Sequence, residues 1–223
     1  MLRSARDDRR RGFAHIVGPA ARARWAIKRT MDVVAATAAL VVLAPLLVVL
    51  AIAVRVDSPG PILFRQHRVG RHGRLFWCLK FRTMVTGAEA LLPVVAAPGE
   101  DDGNGVLFKL KDDPRVTRVG RVLRRWSLDE LPQLFNVLRG DMSLVGPRPA
   151  LPSEVALYCR DMVGRHQVRP GLTGPWQVSG RSELDYDQSK LLDLGYVTAW
   201  TLRRDFLLLA RTVAAVISGR GAY

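Results

Sequence analysis

An uninterrupted apolar run between residues 33 and 54 constrains this chain more than any other feature. The run reads VVAATAALVVLAPLLVVLAIAV and contains no charged residue. About 20 apolar residues are enough to cross the hydrocarbon core of a bilayer as a helix. A cleaved signal peptide is disfavoured, because the run is longer than the usual hydrophobic region and Arg55, Val56 and Asp57 follow it instead of small residues. The run therefore predicts a retained membrane helix.

Basic residues flank this run on both sides: Arg22, Arg24, Lys28 and Arg29 precede it, and Arg55, Arg65, Arg68, Arg71 and Arg74 follow it. A spanning helix is expected to be basic mainly at its cytoplasmic end, so the matching flanks favour two cytoplasmic ends. Pro45 removes a helical hydrogen bond near the middle, and a bend there would return the chain to its starting face. We therefore predict a re-entrant helix over residues 25–57, kinked at Pro45. Hydropathy alone favours the alternative, a single kinked span.

The overall charge indicates anionic partners. Lys and Arg exceed Asp and Glu to give a formal charge of +14, which suits nucleic acid, phospholipid head groups or phosphorylated small molecules. Cys78 and Cys159 match neither a metal-ligand spacing nor a disulfide framework, which indicates a reducing compartment. No pair of the four histidines has the spacing of a helical metal site, so a histidine-based zinc site is disfavoured.

The chain divides into three parts. Residues 1–24 are rich in Arg and lack apolar periodicity, which predicts a mobile basic tail that either lies against anionic lipid or is simply solvated. Residues 25–57 form the membrane helix. Residues 58–223 are predicted to form one mixed α/β domain that is mostly helical. Within it, residues 62–84 resemble two short strands joined at residues 70–73, which predicts a small β-hairpin.

Residues 202–217 have the pattern of an amphipathic helix. Its apolar face is predicted to carry Phe206, Leu209, Val213, Val216 and Ile217, with Arg203, Arg204 and Arg211 at the margins. Such a helix packs either against lipid or against a protein core. The basic margins favour lipid, because Arg side chains can extend to the head groups.

Candidate chemistry concentrates at the adjacent carboxylates Asp129 and Glu130. One interpretation is a capping box, in which Ser127 caps a helix and Glu130 bonds back to it. Pro132 would then occupy the fifth helical position, where its missing N–H forfeits a helical bond. A helix that begins at Leu131 or Pro132 instead leaves both carboxylates just before its positive end. The local spacing leaves both interpretations open.

Asp129 and Glu130 are predicted to hold different roles, because adjacent side chains diverge and cannot face each other across one proton. One carboxylate can attack phosphorus to form an acyl phosphate, while the other helps to bind a divalent cation. Two acids alone would repel a diphosphate, so cations must surround them. The candidate cations are Lys80, Arg82, Arg124, Arg148, Arg169 and Arg181.

Four motifs occur in a characteristic order: KFRTM at residues 80–84, DDPRVT at 112–117, SLDELPQLFNVLRGDMSLVGPRP at 127–149 and RPGLTGPWQVSGR at 169–181. Together with the membrane helix, they resemble the bacterial sugar transferases, which are monotopic phosphoglycosyl transferases. The resemblance covers roughly residues 25–217. It departs from the family pattern at three places, where Ala44 precedes Pro45, Ser182 follows Arg181, and Ala199 precedes Trp200.

The resemblance implies transfer of a sugar 1-phosphate from a UDP-sugar to undecaprenyl phosphate, with release of UMP. Asp129 matches the family's nucleophile, which forms a covalent aspartyl intermediate, and Glu130 matches its Mg²⁺ ligand. Lys80, Arg124, Arg148, Arg181 and Asp193 match further positions of the family's site. The resemblance also implies the bacterial inner membrane, with the domain on the cytoplasmic face, and the first membrane step in assembly of an exopolysaccharide, O-antigen, capsule or glycoprotein glycan.

Two other classes of function remain as alternatives. The charge of +14 also suits a basic, membrane-tethered module that binds lipid or nucleic acid, although such a module does not explain the ordered motifs. A catalytically inactive scaffold is the other alternative. We expect membrane lipids and no nucleic acid as partners, and a minimal catalytic form without the multi-span N-terminal region of longer relatives. The sequence leaves open the sugar, the final glycan and whether the chain forms a homo-oligomer.

Overall fold

The computed structural model describes residues 19–91, 113–158, 160–180 and 186–218. The described part is mostly helical, as predicted, and holds two small sheets. Its elements are α1 (Pro19–Asp57), β1 (Leu63–Val69), β2 (Leu75–Phe81), α2 (Arg118–Arg125), α3 (Gln133–Arg139), β3 (Ser143–Val145), α4 (Pro152–Ala156), β4 (Gly171–Thr173), α5 (Pro175–Val178), α6 (Tyr186–Thr198) and α7 (Leu202–Ser218). Short 3-10 segments cover Arg71–Gly73, Leu128–Glu130 and Arg160–Gln167.

Helix α1 is long and apolar enough to cross a membrane. It begins at Pro19, so residues 19–24, which were predicted to belong to the tail, are helical. Proline is well tolerated in the first turn, since its missing N–H has no partner within the helix there. Pro45 lies inside α1, which remains helical on both sides of it. Residues 1–18 of the predicted tail lie outside the described residues.

The first half of α1 is tied to the domain by polar contacts. Lys28 Nζ donates to Asp205 Oδ2 of α7 at 2.5 Å, and both side chains are buried. Arg29 donates to the carbonyl oxygens of Val137 and Leu138 at the end of α3. A cation in this place also suits the negative end of a helix.

The second half of α1 rests on the same domain. Val54 is buried with Phe81 and Leu123, and Leu47, Leu50 and Ala51 pack against this cluster. Arg82 NH2 donates to the carbonyl oxygen of Ser58 at 2.6 Å and to its Oγ at 2.9 Å, just after the helix ends. The outward face of α1 stays apolar and exposed, with Val34, Val41, Val42, Val48, Val49, Ile52 and Val56.

The predicted hairpin is confirmed. Strands β1 and β2 pair antiparallel, with Phe64 opposite Lys80 and Arg68 opposite Phe76, and the turn lies at Arg71–Gly73. Helix α3 joins this hairpin through Asn136, whose Oδ1 accepts from the Leu79 N–H at 3.0 Å and whose Nδ2 donates to the Trp77 carbonyl at 2.7 Å. The cluster between them contains Ala36, Cys78, Leu134, Val137 and Met142. Cys78 is a buried free thiol, and Cys159 lies outside the described residues.

A parallel pair of short strands, β3 and β4, forms the second sheet, which the sequence did not predict. The strands approach so closely that a Cβ on Gly171 would lie 2.1 Å from the backbone nitrogen of Gly146. Only glycine fits such an approach. The core beside this sheet contains Val145, Val168, Tyr196, Val197, Trp200 and Leu208.

Helix α7 is amphipathic, as predicted, and most of its predicted apolar face points away from the protein core. Asp205 and Leu208 are buried, and Leu209 packs against the second core. Phe206, Val213 and Ile217 are instead exposed. The reason is that the Asp205 carboxylate accepts from Lys28, Tyr196 and Trp200, and these bonds set the rotation of the helix. Apolar periodicity alone could not reveal this buried acid.

We expect Asp205→Ala to destabilise the protein by about 3–5 kcal/mol, because it leaves a buried lysine and two buried donors without this acceptor. The measurement is thermal unfolding of the purified protein in detergent. Arg203→Ala on the exposed side of α7 is the control, and a surface change of this kind typically costs within about 0.5 kcal/mol. Equal midpoints for the two variants would contradict the importance of this contact.

Candidate active site

A sharp turn presents the two adjacent carboxylates. Helix α2 ends at Arg125, Ser127 adopts a left-handed conformation with φ of 54°, and the 3-10 segment Leu128–Glu130 follows. Ser127 makes no side-chain capping bond in the described structure, so the capping-box interpretation is wrong. Helix α3 starts at Gln133, one residue after Pro132. The prediction that both carboxylates precede a helix is confirmed.

Lys80 of β2 reaches Glu130 across the space between hairpin and turn. Its Nζ donates to Glu130 Oε1 at 2.6 Å, with 26% of the lysine side chain and 34% of the glutamate side chain exposed. Burial opposes the charge on both groups, but their attraction outweighs it. The pKa of Lys80 is raised, with Asp129 as a further cause, and the pKa of Glu130 is lowered, with Arg148 and Arg68 contributing. The pair therefore stays charged at neutral pH.

Asp129 experiences a different environment. It is only 8% exposed, and burial is the main cause that raises its pKa to about 6. The neighbouring charge of Glu130 raises this pKa further, while Lys80 and Arg124 lower it. The pKa values of two adjacent carboxylates are thus shifted in opposite directions, which is typical of groups with separate roles in a site.

Arg124 and Arg148 come to this site from opposite sides in sequence. Arg124 lies in the last turn of α2, where its Nε donates to Thr83 Oγ1 at 3.0 Å. Arg148 follows β3, donates to Glu154 at 3.1 Å, and places its guanidinium 5.3 Å from the centre of the Trp176 ring. Each arginine lowers the pKa of one carboxyl, that of Asp129 and that of Glu130 respectively.

Asp193 of α6 is linked to Arg148 through Arg165. It is 2% exposed and pairs with Arg165, which also donates to the Arg148 carbonyl oxygen at 2.8 Å. Burial raises the pKa of Asp193, while Arg165 and Arg148 oppose that rise. The structure therefore brings Asp193 to the site through Arg165 and the loop that holds Arg148.

Other predicted residues lie elsewhere. Arg82 bonds to Ser58 at the end of α1, and Arg169 Nε donates to the Gly140 carbonyl at 2.8 Å, near Arg29 and Arg71. Neither bonds to the two carboxylates. Pro45 lies within α1, and Arg181 falls outside the described residues.

Sequence reasoning missed Arg68 as a site residue. It is buried on the hairpin face that also carries Lys80, donates to the Pro149 carbonyl at 3.0 Å and to Gln66 Oε1 at 2.7 Å, and lowers the pKa of Glu130. Burial and the charge of Arg148 lower its own pKa to about 10. The predicted hairpin contained the signal, because alternation along paired strands places Arg68 and Lys80 on one face.

The arrangement suits an anionic phosphorylated substrate. Lys80, Arg68 and Arg148 all act on Glu130, and Arg68 has no ion pair among the described residues. Fixed cations around a buried carboxylate are the arrangement that stabilises phosphate oxygens during transfer. The described residues thus place a buried carboxylate, Asp129, next to cations that suit phosphate oxygens.

Glu130 is the residue that would hold a divalent cation. Within the described residues, no group of three His, Cys, Asp or Glu side chains could bind a metal. Mg²⁺ does not require such a group, since it often takes one or two carboxylates and completes its ligands with water and substrate phosphates. Glu130 fits this role because it is partly exposed and only its Oε1 is engaged by Lys80.

Comparison with known proteins supplies independent information. A family model described as bacterial sugar transferase matches residues 23–219. The undecaprenyl-phosphate galactose phosphotransferase of Salmonella typhimurium is 47% identical over 204 residues, covering 88% of this chain and 42% of that protein. The exopolysaccharide production protein ExoY of Sinorhizobium fredii is 42% identical over 198 residues and 88% of both chains. The UDP-glucose:undecaprenyl-phosphate glucose-1-phosphate transferase of Caulobacter vibrioides is 43% identical, covering 88% of this chain and 72% of that protein.

We expect Asp129→Asn to stabilise the protein at neutral pH by about 1–3 kcal/mol. The folded state raises the pKa of Asp129 from 3.8 to about 6, so it binds more protons than the unfolded state between these values and loses stability as pH rises through them. The gain from Asn should therefore grow from about pH 4 to about pH 7. Unfolding curves at several pH values test this, with Asp187→Asn at an exposed carboxylate as control. A gain independent of pH would contradict the assignment.

Proposed function

The chain belongs to the bacterial sugar transferase family, and from that premise we propose that it transfers a sugar 1-phosphate from a UDP-sugar to undecaprenyl phosphate. The names of the Salmonella and Caulobacter relatives support this acceptor. The name of the Sinorhizobium relative supports a place in exopolysaccharide production. The observation that carries the proposal is the buried carboxylate of Asp129 beside the Lys80–Glu130 pair.

The proposed reaction has two displacements at one phosphorus atom. Asp129 attacks the β-phosphorus of the UDP-sugar, a carboxylate–phosphorus bond forms, and the bond to the leaving UMP oxygen breaks. An oxygen of the polyprenyl phosphate then attacks the same phosphorus and releases Asp129 as a carboxylate. A pKa of about 6 leaves Asp129 mostly ionised at neutral pH, while burial limits the hydration that would weaken it as a nucleophile.

The surrounding cations have separate tasks in this mechanism. Lys80 fixes Glu130 and stays charged, so it can stabilise phosphate oxygens next to Asp129. Arg68 and Arg148 supply further positive charge near Glu130. Mg²⁺, when held by Glu130, supplies further neutralisation of the diphosphate. The buried Asp193–Arg165 pair keeps the backbone at Arg148 in place.

We also propose that α1 enters and leaves the membrane on the same, cytoplasmic side. Leu40 packs with the cluster that contains Met142, and Leu47 packs with the cluster that contains Phe81. Six residues separate the two leucines, so their positions on the helix are only about 10 Å apart. A bilayer core is about 30 Å thick, so a helix with contacts this close on one domain has no room to cross it. The basic flanks on both ends support the cytoplasmic side.

Helix α7 supplies a second membrane contact in this proposal. Phe206, Val213 and Ile217 are exposed on it, with the exposed Arg203 and Arg211 alongside. An apolar helical face with basic margins suits the boundary between acyl chains and anionic head groups. The active site would then lie at the membrane surface, where a water-soluble donor can meet a lipid acceptor.

We expect Asp129→Asn to abolish UMP release from a UDP-sugar, because the amide cannot form the acyl phosphate. Glu130→Gln is expected to lower kcat by about 100-fold or more and to weaken the dependence on Mg²⁺. The assay uses the purified full-length chain in nanodiscs with a panel of UDP-sugars and undecaprenyl phosphate, and it measures UMP.

The exposed Asp187→Asn serves as control and should turn over like the unaltered protein. Undiminished turnover of Asp129→Asn would overturn the nucleophile. Absence of UMP release from the unaltered chain with every UDP-sugar would favour an inactive scaffold instead.

Cysteine labelling tests the topology. Arg24→Cys and Val56→Cys lie at exposed positions near the two ends of α1. With Cys159 replaced by Ser, both should react with a membrane-impermeant maleimide only after the inner membrane is opened. Arg203→Cys on the domain gives the reference for the cytoplasmic side. Labelling of one α1 position in intact spheroplasts would establish a spanning helix.

A further inference from the structure

An apolar groove opens between α1, the hairpin and the start of α3. Its volume is about 780 Å³, within the range of about 300–1,000 Å³ that is usual for small-molecule sites. The described residues that line it are Leu47, Val48, Ala51, Pro61, Ile62, Leu63, Phe64, Arg65, Phe81, Arg82, Pro132 and Phe135. We refer to this set as the α1 groove.

The α1 groove connects the membrane helix to the catalytic turn. One wall comes from Leu47, Val48 and Ala51, in the part of α1 that is apolar enough for a bilayer. The lining also includes Pro132, two residues after Glu130, and Phe64, which lies opposite Lys80 on the same face of the hairpin. A chain that entered from the lipid would therefore be led toward the reacting carboxylates.

The charges of the α1 groove also indicate its ligand. Arg65 and Arg82 line it, and none of its described lining residues is acidic. Arg82 is only 6% exposed, and its Nε and NH1 have no hydrogen-bond partner among the described residues. A buried guanidinium with unpaired donors is costly unless an acceptor reaches it. The groove thus suits a ligand that is apolar along its length and anionic at one end.

We propose that the α1 groove binds the phosphate-proximal isoprene units of the polyprenyl phosphate acceptor and directs its phosphate toward Asp129. This inference rests on the proposed function and adds the acceptor's path to it. A UDP-sugar is too polar for an apolar groove, and its charge is not confined to one end of a long chain. A bulk phospholipid in the groove would block the path between the bilayer and Asp129.

Two neighbouring substitutions on α1 test the groove. Val48 and Val49 are 59% and 60% exposed, but only Val48 is among the described lining residues. We expect Val48→Trp to fill the groove and to raise the KM for undecaprenyl phosphate about tenfold, while Val49→Trp changes it less than about twofold. The measurement is initial rate in nanodiscs at saturating UDP-sugar.

A second pair tests the anionic end. Arg65→Gln should raise the KM for undecaprenyl phosphate, whereas Arg74→Gln on the same hairpin should not, since Arg65 lines the groove and Arg74 is exposed outside its described lining. Matched effects of the two arginines would indicate general attraction to the membrane and would overturn this part of the proposal. Identical acceptor kinetics for Val48→Trp and Val49→Trp would overturn the groove itself.

Measurement of the first displacement alone tests the proposed function independently of the groove. Mixing enzyme and UDP-sugar without acceptor should release a single burst of UMP, and Val48→Trp should keep the amplitude of that burst. A burst with unaltered acceptor KM in Val48→Trp refutes the groove alone. No burst in the unaltered protein refutes the covalent mechanism on which the groove proposal rests.

Discussion

The buried amide of Asn136 is the contact on which the geometry of the active site depends. Its side chain accepts from the Leu79 N–H and donates to the Trp77 carbonyl, as a neighbouring strand would do for β2. These two bonds hold α3 against the hairpin. Lys80 is the next residue on β2, while Glu130 lies shortly before α3. Their 2.6 Å contact is therefore set by this junction and not by flexible side chains alone. Ala36 of α1 packs against the same cluster, which links the membrane helix to the site.

The two neighbouring carboxylates of the site lie in different environments. Asp129 is buried and has a raised pKa, whereas Glu130 bonds to Lys80 and has a lowered one. The left-handed Ser127 and the short 3-10 turn make this possible, because they point the side chains differently before α3 begins. Strain of this kind is usually retained where function requires a particular backbone path. In the proposed mechanism, one carboxylate can then act as a nucleophile while the other stays paired with cations.

Much of the architecture was readable from local patterns. The apolar run, the hairpin and the last helix follow from hydropathy and turn residues, and Pro132 correctly places the start of α3 after Glu130. The features that local patterns did not reveal depend on contacts between residues that are distant in sequence. Apolar periodicity did not reveal the buried Asp205, whose bonds set the rotation of α7. The parallel pairing of β3 with β4 was missed because these strands are too short to show a period. Arg68 was missed because its place on the same hairpin face as Lys80 follows only once the two strands are paired in register.

The sequence by itself determined the family, the adjacent carboxylates and a long apolar helix, because ordered motifs and an apolar run are properties of the linear chain. Only the tertiary structure decided which cations meet those carboxylates. It gathers Lys80, Arg68, Arg124 and Arg148 around them and ties Arg82 to Ser58 and Arg169 to Gly140. It also rests both halves of α1 on one domain. The physical reason is that burial and charge pairing act between residues distant in sequence, and their outcome depends on packing that no local pattern records.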